Sequence, residues 1–191
     1  LAWATGIKLV EPELPVVIFA GDGDLASIGG NHFIHAARRN LDVTVICVNN
    51  LNFAMTGGQV APTTPAQAHT MTTPYGNAEP RFDLCKLAES AGATHVERWT
   101  TSKHSQCVSA MTRALQHKGF SLIEIISQCP THYGRYALRT GDPIALVDWI
   151  DANTLTKAQA KGMSEEELGG KLILGEFVRV ERPVFTGTTF S

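Results

Sequence analysis

Short β-branched and aliphatic runs alternate along this chain with segments whose apolar positions recur at helical spacing. Val16-Val17-Ile18-Phe19-Ala20 is apolar at every position, which predicts a buried parallel strand. Residues 25–40 follow with Ile28, Phe33, Ile34 and Ala37 at roughly helical intervals and predict a helix. Val43-Thr44-Val45-Ile46-Cys47-Val48 predicts a second strand, residues 95–99 a third and Ser121-Leu122-Ile123-Glu124-Ile125-Ile126 a further one. Residues 82–91 and 102–118 read as helices, the second stopped by Gly119. From Tyr136 onward two weaker helical patterns precede a β-like stretch over residues 171–180 and a Thr/Gly-rich end. The alternation predicts an α/β fold, a mostly parallel sheet with helices on both faces. No internal repeat or low-complexity segment is visible.

Two stretches break this rhythm. Residues 49–81 are rich in Gly, Thr and Pro and carry neither period; a loop of that length is usually functional or disordered. The beginning, Leu1-Ala2-Trp3, has no initiator Met and runs straight into an apolar segment expected to pack in a core.

Composition narrows the function classes. A chain of 191 residues is about one domain's worth, enough to bury a sizeable core. A net charge of −2 without basic or acidic blocks gives no sign of nucleic acid as a partner. No apolar stretch approaches a membrane span, and no secretory signal opens the chain. Four cysteines without a C-x-x-C pair argue against a disulfide scaffold and suit a reducing, cytoplasmic location.

Chemistry concentrates where the first strand ends. Gly21-Asp22-Gly23-Asp24 lies between strand and helix, the usual setting for a phosphate held by free backbone N–H groups. Two aspartates repel a bare phosphate, but a divalent cation between them reverses that interaction. Mg²⁺ takes a carboxylate or two, neutral oxygens and phosphate oxygens. Asp22 can supply the carboxylate and Asn50, at the end of the second strand, a neutral oxygen. The turn also fits G-x-G-x-x-[GA] of dinucleotide folds. That fingerprint expects an acid at the end of the second strand, where this chain has Asn49-Asn50. The residues therefore favour a Mg²⁺–diphosphate clamp.

The arrangement Gly21-Asp22-Gly23-Asp24 with Asn49-Asn50 looks like the signature of thiamine-diphosphate enzymes. Ala4-Thr5-Gly6-Ile7-Lys8-Leu9, Gly29-Gly30-Asn31-His32, Arg38-Arg39-Asn40, Met55-Thr56-Gly57-Gly58-Gln59, Pro62-Thr63-Thr64-Pro65, Pro74-Tyr75-Gly76-Asn77 and Cys129-Pro130-Thr131 occur in the same chain. Together they resemble the β subunit of 2-oxoacid:ferredoxin oxidoreductases, most closely the 2-oxoglutarate branch. The resemblance is dense over residues 1–135 and loose beyond.

It implies a thiamine diphosphate- and Mg²⁺-binding domain over residues 1–135, lacking an N-terminal part that the family has. Residues 136–191 would be an extension packing on that domain or on a partner. It implies Asp22, Asn50 and the backbone carbonyl of Asn52 as Mg²⁺ ligands. Gly21, Gly23, Asp24, Ala54, Met55 and Thr56 would contact the cofactor. Cys129 resembles one ligand of the family's [4Fe–4S] cluster, whose other three would lie in the N-terminal stretch. The implied reaction is oxidative decarboxylation of a 2-oxoacid to acyl-CoA, with electrons passed to ferredoxin. In this family the glutamate that activates the cofactor comes from the α subunit, so no catalytic acid or base is expected here.

The chain departs from the family at Asn52-Phe53-Ala54, where an aliphatic residue, Tyr and Gly are more usual, and at Ala61, which replaces a common Ser. Cys47 is expected in the core, while Cys85 and Cys107 carry no role. His32 and His35, one turn apart, are expected to be packing or surface residues rather than a metal pair. Other readings stay open: pyruvate or branched-chain substrates, a non-oxidative thiamine-diphosphate decarboxylase or ligase, and a partner-binding chain without turnover.

Overall fold

Six strands form one sheet in the order β1-β2-β4-β3-β6-β5 in the computed structural model, which describes residues 1–186. They are β1 (Val17–Gly21), β2 (Thr44–Asn49), β3 (His95–Thr100), β4 (Ser121–Ile126), β5 (Thr154–Thr156) and β6 (Leu172–Arg179). The first four run parallel, with Val17 opposite Thr44, Thr44 opposite Ser121 and His95 also opposite Ser121. β6 lies antiparallel along β3 with a bulge between Val96 and Glu97, and β5 pairs parallel with β6. β5 and β6, both beyond residue 135, thus extend the same sheet.

The central strands are buried because helices cover both faces. One core gathers Phe33, Leu41, Val45, Leu84, Val96, Phe120 and Leu122; a smaller one on the other face joins Ala110, Ala114 and Ile123. The covering helices include α1 (Ala2–Val10), α2 (Asp22–Ala26), α3 (Gly30–Arg38), α4 (Leu84–Ala91) and α5 (His104–Gln116). Asp83 caps α4 by accepting from the N–H groups of Cys85 and Lys86, and Gly92 ends it in the left-handed conformation. In the tail, α6 (Pro143–Ala152) follows a π-helical turn, Gly134–Leu138. The one-turn helices α7 (Lys157–Ala160) and α8 (Glu165–Leu168) each begin with a complete capping box. Among the described residues no helix is long and apolar enough to cross a membrane.

Three expectations need correction. The first strand is parallel but sits at the sheet edge, with Phe19 72% exposed. An apolar run cannot tell an edge from a centre, because what covers the second face comes from elsewhere in the chain. The single helix over residues 25–40 is two, α2 and α3, broken at Ser27–Gly29. Gly29 folds back so that its N–H bonds to the Asp24 carbonyl, and a Cβ there would stand 2.4 Å from that oxygen. The opening segment is a helix whose only buried residues are Ala4 and Lys8, while Trp3 is 83% exposed. Lys8 is held by Asp42 at 3.1 Å and by the carbonyls of Pro12 and Leu14.

Candidate functional site

The site forms at the carboxyl ends of the adjacent strands β1 and β2, where ligands of parallel sheets gather. β1 runs out at Gly21, whose extended backbone (φ −74°, ψ 159°) turns the chain into α2. Asp22 is the first residue of that helix and is 2% exposed, whereas Asp24 faces solvent. One carboxylate of the pair therefore enters the site and the other stays in water. Gly23 has no room for a side chain: its Cβ would lie 2.4 Å from the Phe53 ring.

Asp22 meets the loop after β2. The Asn50 N–H donates to Asp22 Oδ1 at 3.4 Å, and the Thr63 hydroxyl donates to Oδ2. Burial pushes the Asp22 carboxyl up to about 6, against the pull of the Thr63 hydroxyl and the Asn50 N–H. No cation pairs with it among the described residues. Beside it, Asn50 Oδ1 is buried with no hydrogen-bond partner. An unpaired buried oxygen is costly. A buried carboxylate next to a buried, unbonded amide oxygen is a donor set suited to a hard divalent cation. The residues present fit Mg²⁺.

Leu51 and Asn52 complete the turn. Leu51 adopts φ +68°, a left-handed conformation uncommon for a branched side chain. Its N–H donates to Asn49 Oδ1 at 3.0 Å, and its carbonyl accepts the Thr64 hydroxyl at 2.7 Å. Asn52 donates from Nδ2 to the Asn50 carbonyl at 3.2 Å, and its Oδ1 lies 4.0 Å from Cys129 Sγ. Its side chain thus folds the loop back toward Asn50, a part that the expected carbonyl role does not include.

Ala54, Met55 and Thr56 lie on a tight turn closed by the Phe53–Gln59 bridge. Ala54 packs against the cluster of Leu51, Cys129 and Tyr133, and Met55 projects outward, 98% exposed. Thr56 is tied to Gln59 through Oγ1 and its carbonyl, both at 2.8 Å. The structure therefore gathers Gly21, Asp22, Gly23, Asn50 and Asn52 in one place. Met55 and Thr56 belong to an arm beside it.

Cys129 is buried beyond the end of β4, within the cluster of Leu51 and Tyr133. Cys47 lies in the core, as expected, and burial pushes its thiol well up; Cys85 and Cys107 are buried on α4 and α5. No cluster of cysteines that could hold a metal forms among the described residues. Four thiolates normally hold a four-iron cluster. Residues 1–186 by themselves do not fit that group. His32 and His35 are exposed on α3, as the surface reading expects.

His95, Glu97 and Glu176 bring possible metal ligands together in the sheet. Glu97 already accepts Arg113 at 2.9 and 2.7 Å and Trp99 at 2.8 Å, so a cation is in place there. Thr63, Asn49, Glu124 and Arg98 were not among the expected site residues. Pro62-Thr63-Thr64-Pro65 was a visible motif, but nothing in its spacing ties Thr63 to Asp22. Glu124, a lone acid inside an apolar strand, was the one available signal of a buried partner.

Comparison with known proteins gives the relatives of this chain. The family described as thiamine pyrophosphate enzyme, C-terminal TPP binding domain, matches residues 1–125. The 2-oxoglutarate synthase subunit KorB of Methanocaldococcus jannaschii is 52% identical over 185 residues, covering 97% of this chain and 68% of that protein. KorB of Methanothermobacter marburgensis is 48% identical over 96% of this chain and 64% of its own length. In three dimensions the chain is similar to a 2-oxoglutarate:ferredoxin oxidoreductase from Magnetococcus marinus with 2-oxoglutarate, coenzyme A and succinyl-CoA bound. That match has a TM-score of 0.82 and 30% identity, and covers 97% of this chain and 63% of that one. The chain spans about two thirds of the length of these relatives.

Proposed function

This chain belongs to the thiamine pyrophosphate enzymes, among the KorB-type β subunits of 2-oxoacid:ferredoxin oxidoreductases, and from that premise we propose that it grips the diphosphate of thiamine diphosphate through Mg²⁺. The observation that carries the reading is the buried Asp22 carboxylate beside the unbonded Asn50 Oδ1. Asp22 and Asn50 would hold the metal with the Asn52 carbonyl, and Gly21, Gly23 and Asp24 would offer backbone contacts. When bound, thiamine diphosphate supplies a cationic ring that accepts the electron pair released as a 2-oxoacid loses CO₂. The residues here would anchor and orient the cofactor, and no catalytic acid or base is proposed among them. Thr63 fixes the angle of the Asp22 carboxylate, and the Ala54–Thr56 arm lies alongside.

The substrate class is 2-oxoacids, with 2-oxoglutarate preferred, the acyl group going to coenzyme A and the electrons to ferredoxin. The names of the relatives and the ligands of the solved neighbour support this choice. Cys129 would serve as one thiolate of a [4Fe–4S] cluster whose other ligands lie outside residues 1–186. The working unit would be a cytoplasmic assembly with an α subunit. The exposure of Trp3, Phe19, Ile28 and Met55 supports a covered face in that assembly.

The test uses the full-length subunit in its native assembly, prepared anaerobically. Asp22→Ala should abolish Mg²⁺-dependent thiamine-diphosphate binding in calorimetry, and unchanged affinity would sink the ligand assignment. CoA-dependent dye reduction should be fastest with 2-oxoglutarate; a faster rate with pyruvate overturns the substrate preference.

A further inference from the structure

We propose that Glu124, acting through Asn49, is a positioning residue that sets the metal-binding loop. The proposal rests on Asn50 and Asn52 being Mg²⁺ ligands. Glu124 lies in the middle of β4, directly opposite Arg98 of β3 and Cys47 of β2. Asn49 follows Cys47 by two residues and so shares its face of the sheet. The Glu124 carboxylate reaches along that face toward the strand ends. Its Oε1 accepts Asn49 Nδ2 at 2.7 Å, and its Oε2 accepts Arg98 Nε at 2.7 Å and the Cys85 thiol at 3.2 Å.

Hydrogen-bond polarity makes this chain of contacts directional. A carboxylate only accepts, so Asn49 must turn its NH₂ toward Glu124. That leaves Asn49 Oδ1 facing the loop, where it accepts the Leu51 N–H at 3.0 Å. The Asn49 carbonyl is held as well, by the Ser127 N–H at 2.8 Å. Leu51, with φ +68°, is thereby pinned at its N–H by Asn49 and at its carbonyl by Thr64. It stands between the two ligand residues. Its left-handed turn is what carries the chain from Asn50, under Asp22, to Asn52.

The relay also explains why an amide rather than an acid ends β2. A carboxylate at position 49 would face Glu124 in a buried site, and like charges there repel. A glutamine at 124 could donate to Asn49, letting the amide flip and set its NH₂ against the Leu51 N–H. The loop would then lose its anchor while the sheet kept its volume.

Glu124→Gln and Asn49→Ala in the full-length assembly test this, with Asn50→Ala and Glu97→Gln for comparison. Mg²⁺ is titrated by calorimetry at saturating thiamine diphosphate, and melting is followed without metal. Both relay variants should raise the Mg²⁺ midpoint about 10- to 100-fold, as outer partners of metal ligands do, with binding recovered in excess Mg²⁺. Glu97→Gln, a buried carboxylate bonded on its own strand and α5, should lower melting without moving the midpoint. A melting loss with an unmoved midpoint in both relay variants makes the network structural only and overturns the proposal. If Asn50→Ala also leaves the midpoint unmoved, the ligand assignment fails instead. Should Glu124→Gln not fold, Asn49→Ala decides the same question.

Discussion

Thr63 donates its hydroxyl hydrogen to the buried Asp22 carboxylate across 41 positions of chain. The bond fixes one oxygen of the carboxylate that turns into the candidate site. Thr63→Val should weaken Mg²⁺-dependent thiamine-diphosphate binding about tenfold, the lower end of what such supporting partners contribute. Thr63→Ser, which keeps the hydroxyl, should restore it. Calorimetry on both variants decides; equal affinity in Val and wild type means the bond does no positioning.

Gly23 and Phe53 are sterically coupled. An alanine at 23 would place its methyl 2.4 Å from the Phe53 ring, so the ring must move. Gly23→Ala should cost about 1–3 kcal/mol of stability, as overpacking does. Adding Phe53→Ala should return most of that loss. Denaturant melts of the two single variants and the double variant check it, and additive losses would refute the coupling.

Glu97 gives the fold a pH dependence at the acid end. Burial alone would raise its carboxyl, but hydrogen bonds from His95, Arg113 and Trp99 and the Arg113 charge outweigh that and hold it at about 2. Glu176 faces the same group from β6. A depressed carboxyl stabilises the fold above its unfolded value of 4.5, and the gain is lost as pH falls from there through about 2. Glu97→Gln should therefore be less stable than wild type by about 3 kcal/mol at pH 7. The gap should close toward pH 2. Melts across that range test this, and a constant gap would contradict it.

Cys129 alone cannot retain a four-iron cluster. Anaerobic reconstitution of the 191-residue chain should give no stoichiometric iron and sulfide. In the full-length assembly, Cys129→Ala should remove cluster absorbance while thiamine diphosphate still binds. A broad visible band from this chain alone would count against the assignment.

Much of the fold was legible in the chain. Val43–Val48 and Ser121–Ile126 read as strands because a run buried on both faces must be apolar throughout. Gly92 and Gly119 adopt positive φ, as helix and turn ends need. The break between α2 and α3 was not legible, since Ile28 reads as part of the apolar pattern of Phe33, Ile34 and Ala37, yet it lies exposed between the two helices. Nor was the edge position of β1, because Phe19 is as apolar as a buried residue.

The sequence by itself determined where the candidate site falls and its charge type: a glycine turn after a strand, two aspartates in it and an amide pair at the next strand end. Those features are local, so backbone preference and short spacing carry them. Tertiary structure alone decided which side chains support the inward-turned Asp22. Thr63 reaches Asp22, and Glu124 reaches Asn49 over 75 positions, only because the sheet order sets β4 beside β2 and the loop folds over β1. No local pattern encodes a hydrogen bond between residues so far apart; the packing of the sheet brings them together, and burial makes each unmade bond costly.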